Sequence, residues 1–334
     1  MQKVVDRFAQ EGDPENLRAV RKAKGGSVTG VQYIDDNPKV AEGDFNVIAG
    51  TAWLFASQAM RDNPVDVLVV DEAGQLGLAD TLAATISTTS VILLGDPQQL
   101  PQVSQASHPD GAGASALEHL LGDELTVPAD RGVLLETTWR MHPDVCEFIS
   151  EVMYGGKLHN HESCVGQQAA GQTGLRWLRA EHEGRSTESP EEAATVVAKV
   201  EELLGQPWTD QHGVTRPLTV DDFMVVAPYN DQRRCIEAAL RANPTTGGVE
   251  VGTVDKFQGQ EAAVVLFSMA TSSAEFMPRT ADFLFSKNRL NVAISRARCV
   301  AYLACTEELL DTRARDVGEM ALISALCAFV ERAD

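Results

Sequence analysis

Two apolar runs constrain this 334-residue chain more than any other feature. Val67–Val70, in VDVLVVD (65–71), and Val91–Leu94, in VILLGD (91–96), show no polar alternation, and each run stops at an acid-bearing turn. A strand that packs one face alternates apolar with polar residues, whereas a continuous apolar strand is buried on both faces. FNVIAGT (45–51) reads as another short strand, and WLFASQAM (53–60) and GLADTLAATIS (77–87) read as helices. Strands of this kind alternating with helices predict an α/β fold with a parallel sheet flanked by helices. Residues 1–24 read as a helix with a charged face, broken by KGGS. SHPDGAG (107–113) reads as a loop and ASALEHLL (114–121) as a short helix.

A second α/β unit is expected from about residue 135. MHPDVCEFISEVMY (141–154) reads as a helix opened by His142-Pro143, with Val145, Phe148, Ile149 and Val152 on one face. Residues 155–174 read as irregular, and EHEGRSTESP (181–190) as a solvent-facing connection. SPEEAATVVAKVEELL (189–204) has Ser189 as N-cap, Pro190 at the first helical position and Glu192 three residues after the cap. That pattern predicts a capping box. TVDDFMVVAPYN (219–230) contains a strand ending at Ala227-Pro228; Ala263–Met269 and VAYLAC (300–305) supply two more. RLNVAISRARC (289–299) and residues 314–331 read as helices.

A formal charge of -20 opposes a generally basic nucleic-acid coat. Binding depends, however, on where the basic groups lie. Residues 251–300 hold six of them (Lys256, Arg279, Lys287, Arg289, Arg296, Arg298) against four acids (Asp255, Glu261, Glu275, Asp282), which is compatible with a local basic path. Six scattered cysteines without a CxxC pair predict a reduced, cytoplasmic chain. His159-x-His161-x-x-Cys164 has the spacing of a metal fragment and equally that of a polar loop. No stretch approaches the ~20 apolar residues of a membrane span, so no membrane partner is expected.

Asp71 and Glu72 stand where the first run ends. In an open parallel sheet that end faces the crevice where ligands bind. One acid there can hold Mg²⁺ through water while the other orients and deprotonates an attacking water. Simple solvent exposure would also place acids at a strand end. LLGDPQQLPQ (93–102) adds Asp96 and Gln99 on a turn that Gly95 tightens and Pro97 stiffens. Gln99 can donate to a phosphate oxygen without adding charge; an ordinary polar turn is the alternative. Guanidinium groups stabilise the charge of phosphoryl transfer, and candidates are Arg140, which precedes a helix, and Arg289, Arg296 and Arg298. On the predicted helix 289–299, Arg289 and Arg296 share a face about two turns apart, where they could equally meet acidic neighbours. Trp139 offers either a face for a base or a core aromatic.

Taken together, these segments closely resemble the superfamily 1 helicases of the Upf1/Dna2-like branch, in family order over residues 67–298. DEAGQ (71–75) resembles motif II and GDPQQLP (95–101) motif III. WRMHP (139–143) resembles motif IV, with Trp139 where Tyr is usual, and APYNDQ (227–232) the segment written PYxxQ. VGTVDKFQGQE (251–261) resembles motif V and NRLNVAISRAR (288–298) motif VI. The resemblance implies RecA-like domains of the P-loop NTPase fold, an incomplete first one over 1–134 and a second over 135–334. It implies ATP and Mg²⁺ as cofactors, with Asp71 holding the metal through water and Glu72 activating the attacking water. Gln99 would sense the γ-phosphate, Arg140 and Arg296 would act as arginine fingers, and Trp139 would stack on adenine. Asp96 and Arg289 would flank the nucleotide, and Gln258, Gly259 and Glu261 would couple it to the second domain. Thr253, Lys256 and Tyr229 are the implied nucleic-acid contacts. The implied track is single-stranded DNA, or RNA, and on DNA the implied movement is 5′ to 3′. Gly74 stands where many relatives carry Ala or Ser, an exchange expected to affect packing only. The DEAGQLGLAD form further resembles bacterial relatives in which a RecB-like nuclease domain precedes the helicase part. A module that binds nucleic acid or a partner without hydrolysing ATP is the alternative.

One family element is missing. No G-x-x-x-x-G-K-[ST] occurs, and Lys22-Ala-Lys24-Gly-Gly26-Ser lacks its order and spacing. An upstream segment is therefore expected to supply the P-loop, with its strand beside VILLGD. Without that strand, residues 91–95 are expected to form an uncovered apolar edge prone to self-association.

Overall fold

The computed structural model describes residues 2–11, 16–100, 113–122, 124–278 and 281–333. Residues 107–112 of the expected loop and Arg279 lie outside them. The chain divides into two compact units, Met1–Pro97 with Pro101–Gly122, and Gln98–Leu100 with Asp123–Asp334. The division thus falls ahead of residue 135, and the short segment Gln98–Leu100 belongs with the second unit. Its Leu100 is buried in that unit's core beside Met141 and Val145, and the Gln98 side chain donates to the Leu125 carbonyl.

The second unit is built on a five-stranded sheet in the order Glu250–Gly252, Phe223–Val226, Ala262–Ser268, Ala297–Cys305, Gly174–Arg179. Every neighbouring pair is parallel. The central strands are apolar over most of their length, Arg298 and Ser268 apart, because both faces are covered. Alternate residues feed two cores. Val265, Phe267, Ala301 and Leu303 point to one, closed by Ile149, Leu290 and Phe329; Val264, Leu266, Val300 and Tyr302 point to the other, closed by Val196, Val200 and Ile236.

In the first unit, Ala19–Lys22 lies between Val31–Ile34 and Val47–Ala49 in a parallel three-stranded sheet, while Val65–Val70 and Thr88–Leu93 form a parallel pair. The expected helix over 1–24 is therefore corrected. It spans Gln2–Gln10, and the later residues give a central strand, since pairing on both sides and burial of Val20 outweigh local helical preference. The single helix expected over 53–60 is two short ones, Ala52–Phe55 and Gln58–Asp62, because the Ser57 hydroxyl accepts from the Met60 amide and starts the second. Among the described residues, Thr88–Leu93 pairs with Val65–Val70 alone. Val67, Val69, Ile92 and Leu94 remain about half exposed, so the expected burial of Val67–Val70 and Val91–Leu94 on both faces is corrected: Leu68 and Val70 pack inward, and the other face of the pair is uncovered among the described residues.

Three further expectations are corrected in the second unit. The helix Lys287–Ile294 stops before Arg296, and Ala297–Cys305 is a strand, because it pairs along both neighbours. Arg296 and Arg298 are therefore not on a helix with Arg289. The stretch 155–174 is partly ordered, as His159–Asn160 pairs with Thr137–Thr138 and Gln168–Ala169 joins a small antiparallel sheet. Finally, Ser189 caps its helix by accepting from the Glu192 amide, but Glu192 does not return the bond. Its carboxylate is fully buried and accepts from the Ser268 hydroxyl at 2.6 Å and the Ala270 amide at 2.9 Å, with His182 Nε2 also at 2.9 Å. The Ser189 amide donates instead to Gln232 Oε1. A reciprocal capping box is found at Ser115/Glu118. The connection 181–190 is likewise not purely solvent-facing, since the His182 side chain is wholly buried.

All six cysteines are unpaired. Burial pushes the Cys146 thiol up to about 11 and Cys299 to about 12, which keeps both protonated and inert at neutral pH. Among the described residues no helix is long and apolar enough to cross a membrane.

The buried carboxylate of Glu192 generates a prediction. Glu192→Ala strands the Ser268 hydroxyl, the Ala270 amide and the His182 ring in a dry interior, each at about 1–3 kcal/mol. Urea unfolding of the variant should show a loss of about 3 kcal/mol or more, while Glu192→Gln, which keeps an acceptor, loses less.

Candidate functional site

In the first unit, the acidic pair is held by a turn locked with glycine. Asp71 and Glu72 follow the strand Val65–Val70 and are exposed. Glu72 is left-handed (φ 53°), unusual for a side-chain-bearing residue and costing about 1–2 kcal/mol. Its amide donates to Asp71 Oδ1, and Gln75 Nε2 donates to its carboxylate. The Ala73 amide donates to the Leu94 carbonyl, and the Leu94 amide to Val70, so the two strand-end turns are joined by main chain. They touch so closely that a Cβ on Gly74 would stand 2.8 Å from the Asp96 carbonyl oxygen, and one on Gly95 2.8 Å from the Ala73 nitrogen. The expected packing role of Gly74 has a definite cause here, because the backbone itself fills the space a methyl would need. Asp96 sits half-buried on the second turn.

In the second unit, four of the expected residues converge around one turn. Arg296 is 3% exposed. Its Nε donates to the Val292 carbonyl at 3.1 Å, Nη1 to the Gln260 carbonyl at 3.4 Å and Nη2 to Gln99 Oε1 at 3.3 Å. Asn288 Nδ2 donates to the Gln99 carbonyl, and Asn291 Nδ2 to the Gln98 carbonyl and Tyr154 hydroxyl. Arg140 Nη1 donates to the Ser295 carbonyl, one residue before Arg296, while Arg140 Nε donates to Glu261 Oε2 at 2.8 Å. Arg298 Nη2 lies 2.7 Å from the other Glu261 oxygen. Burial pushes the Glu261 carboxyl up, but its hydrogen bond to Arg140 and the charges of both arginines outweigh that and hold it below the usual carboxylate range.

Trp139 is 61% exposed and stacks on His161, with ring centroids 3.4 Å apart and planes 17° from parallel. Cys164 is buried, and His161 Nδ1 accepts from the Ser163 amide. The His159/His161/Cys164 spacing is accordingly that of a loop folded onto Trp139, and among the described residues no group of three or more His, Cys, Asp or Glu is arranged for a metal. Among the described residues, Gln258 Nε2 is buried without a hydrogen-bond partner and Gly259 (φ 76°) has open space where a side chain would stand.

The remaining residues are less available. Arg289 pairs with Asp255 at 3.6 Å and lies over the Phe283 ring. Lys256 is ion-paired with Glu250 at 2.9 Å and donates to the Val251 carbonyl. Tyr229 is buried and stacks on Phe283, presenting little surface to a nucleic acid. Thr253 is half-buried at the start of the short turn Val254–Phe257. Neither Asn288 and Asn291 as anchors of Gln98–Gln99 nor Arg298 as the second partner of Glu261 was apparent from spacing; amides leave no periodic signature.

The residues fit a nucleotide in kind. Buried and half-buried guanidinium groups with a glutamine suit phosphate oxygens, and an exposed indole suits a base. Mg²⁺ takes one or two carboxylates plus phosphates and waters, so an exposed Asp71 is a sufficient protein share.

Two family models, both described as AAA domain, match residues 113–308 and 16–106. The chain is 26% identical over 283 residues to the DNA replication ATP-dependent helicase/nuclease JHS1 of Arabidopsis thaliana, covering 75% of this chain and 20% of that protein. It is 28% identical over 270 residues to the mouse 5'-3' DNA helicase ZGRF1, covering 75% and 13%, and 27% identical over 270 residues to the mouse DNA-binding protein SMUBP-2, covering 75% and 25%. The chain therefore spans a quarter or less of these relatives. An Arterivirus nonstructural protein 10 (helicase) solved with DNA aligns at 15% identity with a TM-score of 0.45, covering 91% of this chain and 51% of that one.

The contact between Gly74 and Asp96 can be tested. Gly74→Ala should destabilise the first unit by about 1–3 kcal/mol through overpacking, read as a lower midpoint in denaturant.

Proposed function

We infer the function from family: the chain belongs to the AAA-domain proteins, in the Upf1/Dna2-like branch of the superfamily 1 helicases, and we propose that it is part of an ATP-dependent nucleic-acid helicase or translocase. The observation that carries this reading is the convergence of Gln99, Arg140 and Arg296 on the Ser295–Arg296 turn. A surface that merely binds nucleic acid has no need to bury a guanidinium beside a glutamine and to fasten a second arginine to the adjoining carbonyl.

In this reading ATP is the phosphoryl donor; Asp71 would hold Mg²⁺ through water, and the ion would supply neutralising charge. Glu72 orients the attacking water and takes its proton. Gln99 senses the γ-phosphate, and Arg296 and Arg140 steady the charge that develops there. Trp139 receives the adenine ring on its open face, Asp96 and Arg289 flank the nucleotide, and Gln258 and Gly259 couple it to the second domain. Glu261 holds Arg140 and Arg298 until the nucleotide competes for them. The domain assignment proposed is 1–134 for a first RecA-like domain and 135–334 for a second, with Gln98–Leu100 and residues 123–134 counted by compactness in the second unit. The track proposed is single-stranded DNA followed 5′ to 3′, contacted through its backbone near Thr253 and Lys256.

One observation favours a second reading, a module that binds without hydrolysing. The sequence contains no G-x-x-x-x-G-K-[ST], and the amides and lysine of that loop are the main cradle of the β- and γ-phosphates. The two readings separate in ATP hydrolysis stimulated by single-stranded DNA, measured on a protein that carries such a loop together with these residues. Glu72→Gln should lower turnover on the order of 10²-fold or more. Unchanged hydrolysis in that variant refutes the role of Glu72, and no hydrolysis in the parent favours the binding module.

A further inference from the structure

Residues 159–167 attach to the Trp139–Arg140 pair at several points. The parallel pairing of Thr137–Thr138 with His159–Asn160 sets the register. The His161 amide extends it by donating to the Thr138 carbonyl at 2.8 Å, which brings His161 alongside Trp139. The imidazole then lies flat on the indole at 3.4 Å. Its own plane is fixed from behind, since Nδ1 accepts from the Ser163 amide at 3.2 Å and lies 2.9 Å from the Ser163 hydroxyl. Further along, buried Gln167 donates from Nε2 to the Arg140 carbonyl at 2.8 Å. The loop clamps the main chain at Arg140 and the side chain at Trp139. Trp139 is nevertheless 61% exposed. An indole with one face covered by a fixed ring and this much surface in solvent presents its other face.

We propose that His161 is a positioning residue for the base of a purine nucleotide: its imidazole backs one face of Trp139 and holds the indole so that the opposite face receives the purine. The proposal rests on the reading of Trp139 as the adenine platform. An unsupported exposed indole would sample several rotamers and lose that freedom on binding, whereas a backed indole is already in place. The arrangement is a three-layer stack of imidazole, indole and purine. His161 acts through Trp139 and touches no phosphate, so its removal weakens base recognition and leaves triphosphate recognition unchanged.

The test compares ATP with inorganic tripolyphosphate, which lacks the base, as ligands of the 334-residue chain, with ATP followed by saturation transfer to the adenine protons and dissociation constants taken by calorimetry. His161→Ala should weaken ATP binding about 2- to 10-fold and leave tripolyphosphate unaffected. His161→Phe, which restores a flat ring, should recover most of the loss. Should the Ala variant fail to fold, His161→Leu supplies bulk without a flat ring and should bind ATP more weakly than His161→Phe. Full ATP affinity in the folded Ala or Leu variant, or equal losses for ATP and tripolyphosphate, overturns the proposal. If Trp139→Ala leaves ATP binding unchanged, or the parent chain transfers no saturation to adenine, the platform itself fails and the proposal with it. If Trp139→Ala weakens ATP while His161→Ala does not, the platform stands and His161 has no part in it.

Discussion

Arg296 is a guanidinium taken almost wholly out of water, and much of the second unit's geometry follows from satisfying it. Five N–H donors in a rigid fork cannot be left bare in a dry interior. The carbonyls of Val292 and Gln260 and the side chain of Gln99 meet three of them. Each partner comes from a different element, a helix end, the turn after Phe257 and the segment Gln98–Leu100. One buried cation therefore ties together three stretches that are distant in sequence. Ser295, its neighbour, lends a carbonyl to Arg140, so a second arginine is registered to the first through the main chain.

The same logic of compelled pairing runs through the opposite face of the sheet. Glu192 is buried where the sequence pattern promised a helix cap, and its carboxylate gathers Ser268, Ala270 and His182. Ala270 adopts a left-handed conformation (φ 67°) two residues beyond the central strand Ala262–Ser268. The carboxylate holding its amide helps to fix that turn at the carboxyl end of the sheet.

Continuous apolar strands were legible in the sequence because burial on both faces leaves an unmistakable run, as in Ala263–Phe267; Val67–Val70 shows a similar run with one face exposed. Central strands with polar ends were not: Ala19–Lys22 carries Arg21 and Lys22, and its identity as a strand depends on two neighbours that lie beyond any local window. The end of the helix at Ile294 was obscured by the helical look of AISRAR, which pairing with Ala262–Ser268 overrides. Asp71, Glu72, Gln99, Arg140 and Arg296 could be singled out because phosphoryl chemistry limits the residue types that serve it. The contacts that orient them could not, since Asn288, Asn291 and His161 act through register and geometry rather than composition.

The paired glycines of the first unit carry a mechanical consequence. With no side chain between Gly74 and Asp96, or between Gly95 and Ala73, the two turns meet backbone to backbone, and such a contact has almost no compliance. Glu72 on one turn and Asp96 on the other are therefore geared together. A shift of either of more than a few tenths of an ångström must drag the other along. A disturbance felt at one loop reaches the neighbouring loop as displacement, without passing through any flexible side chain.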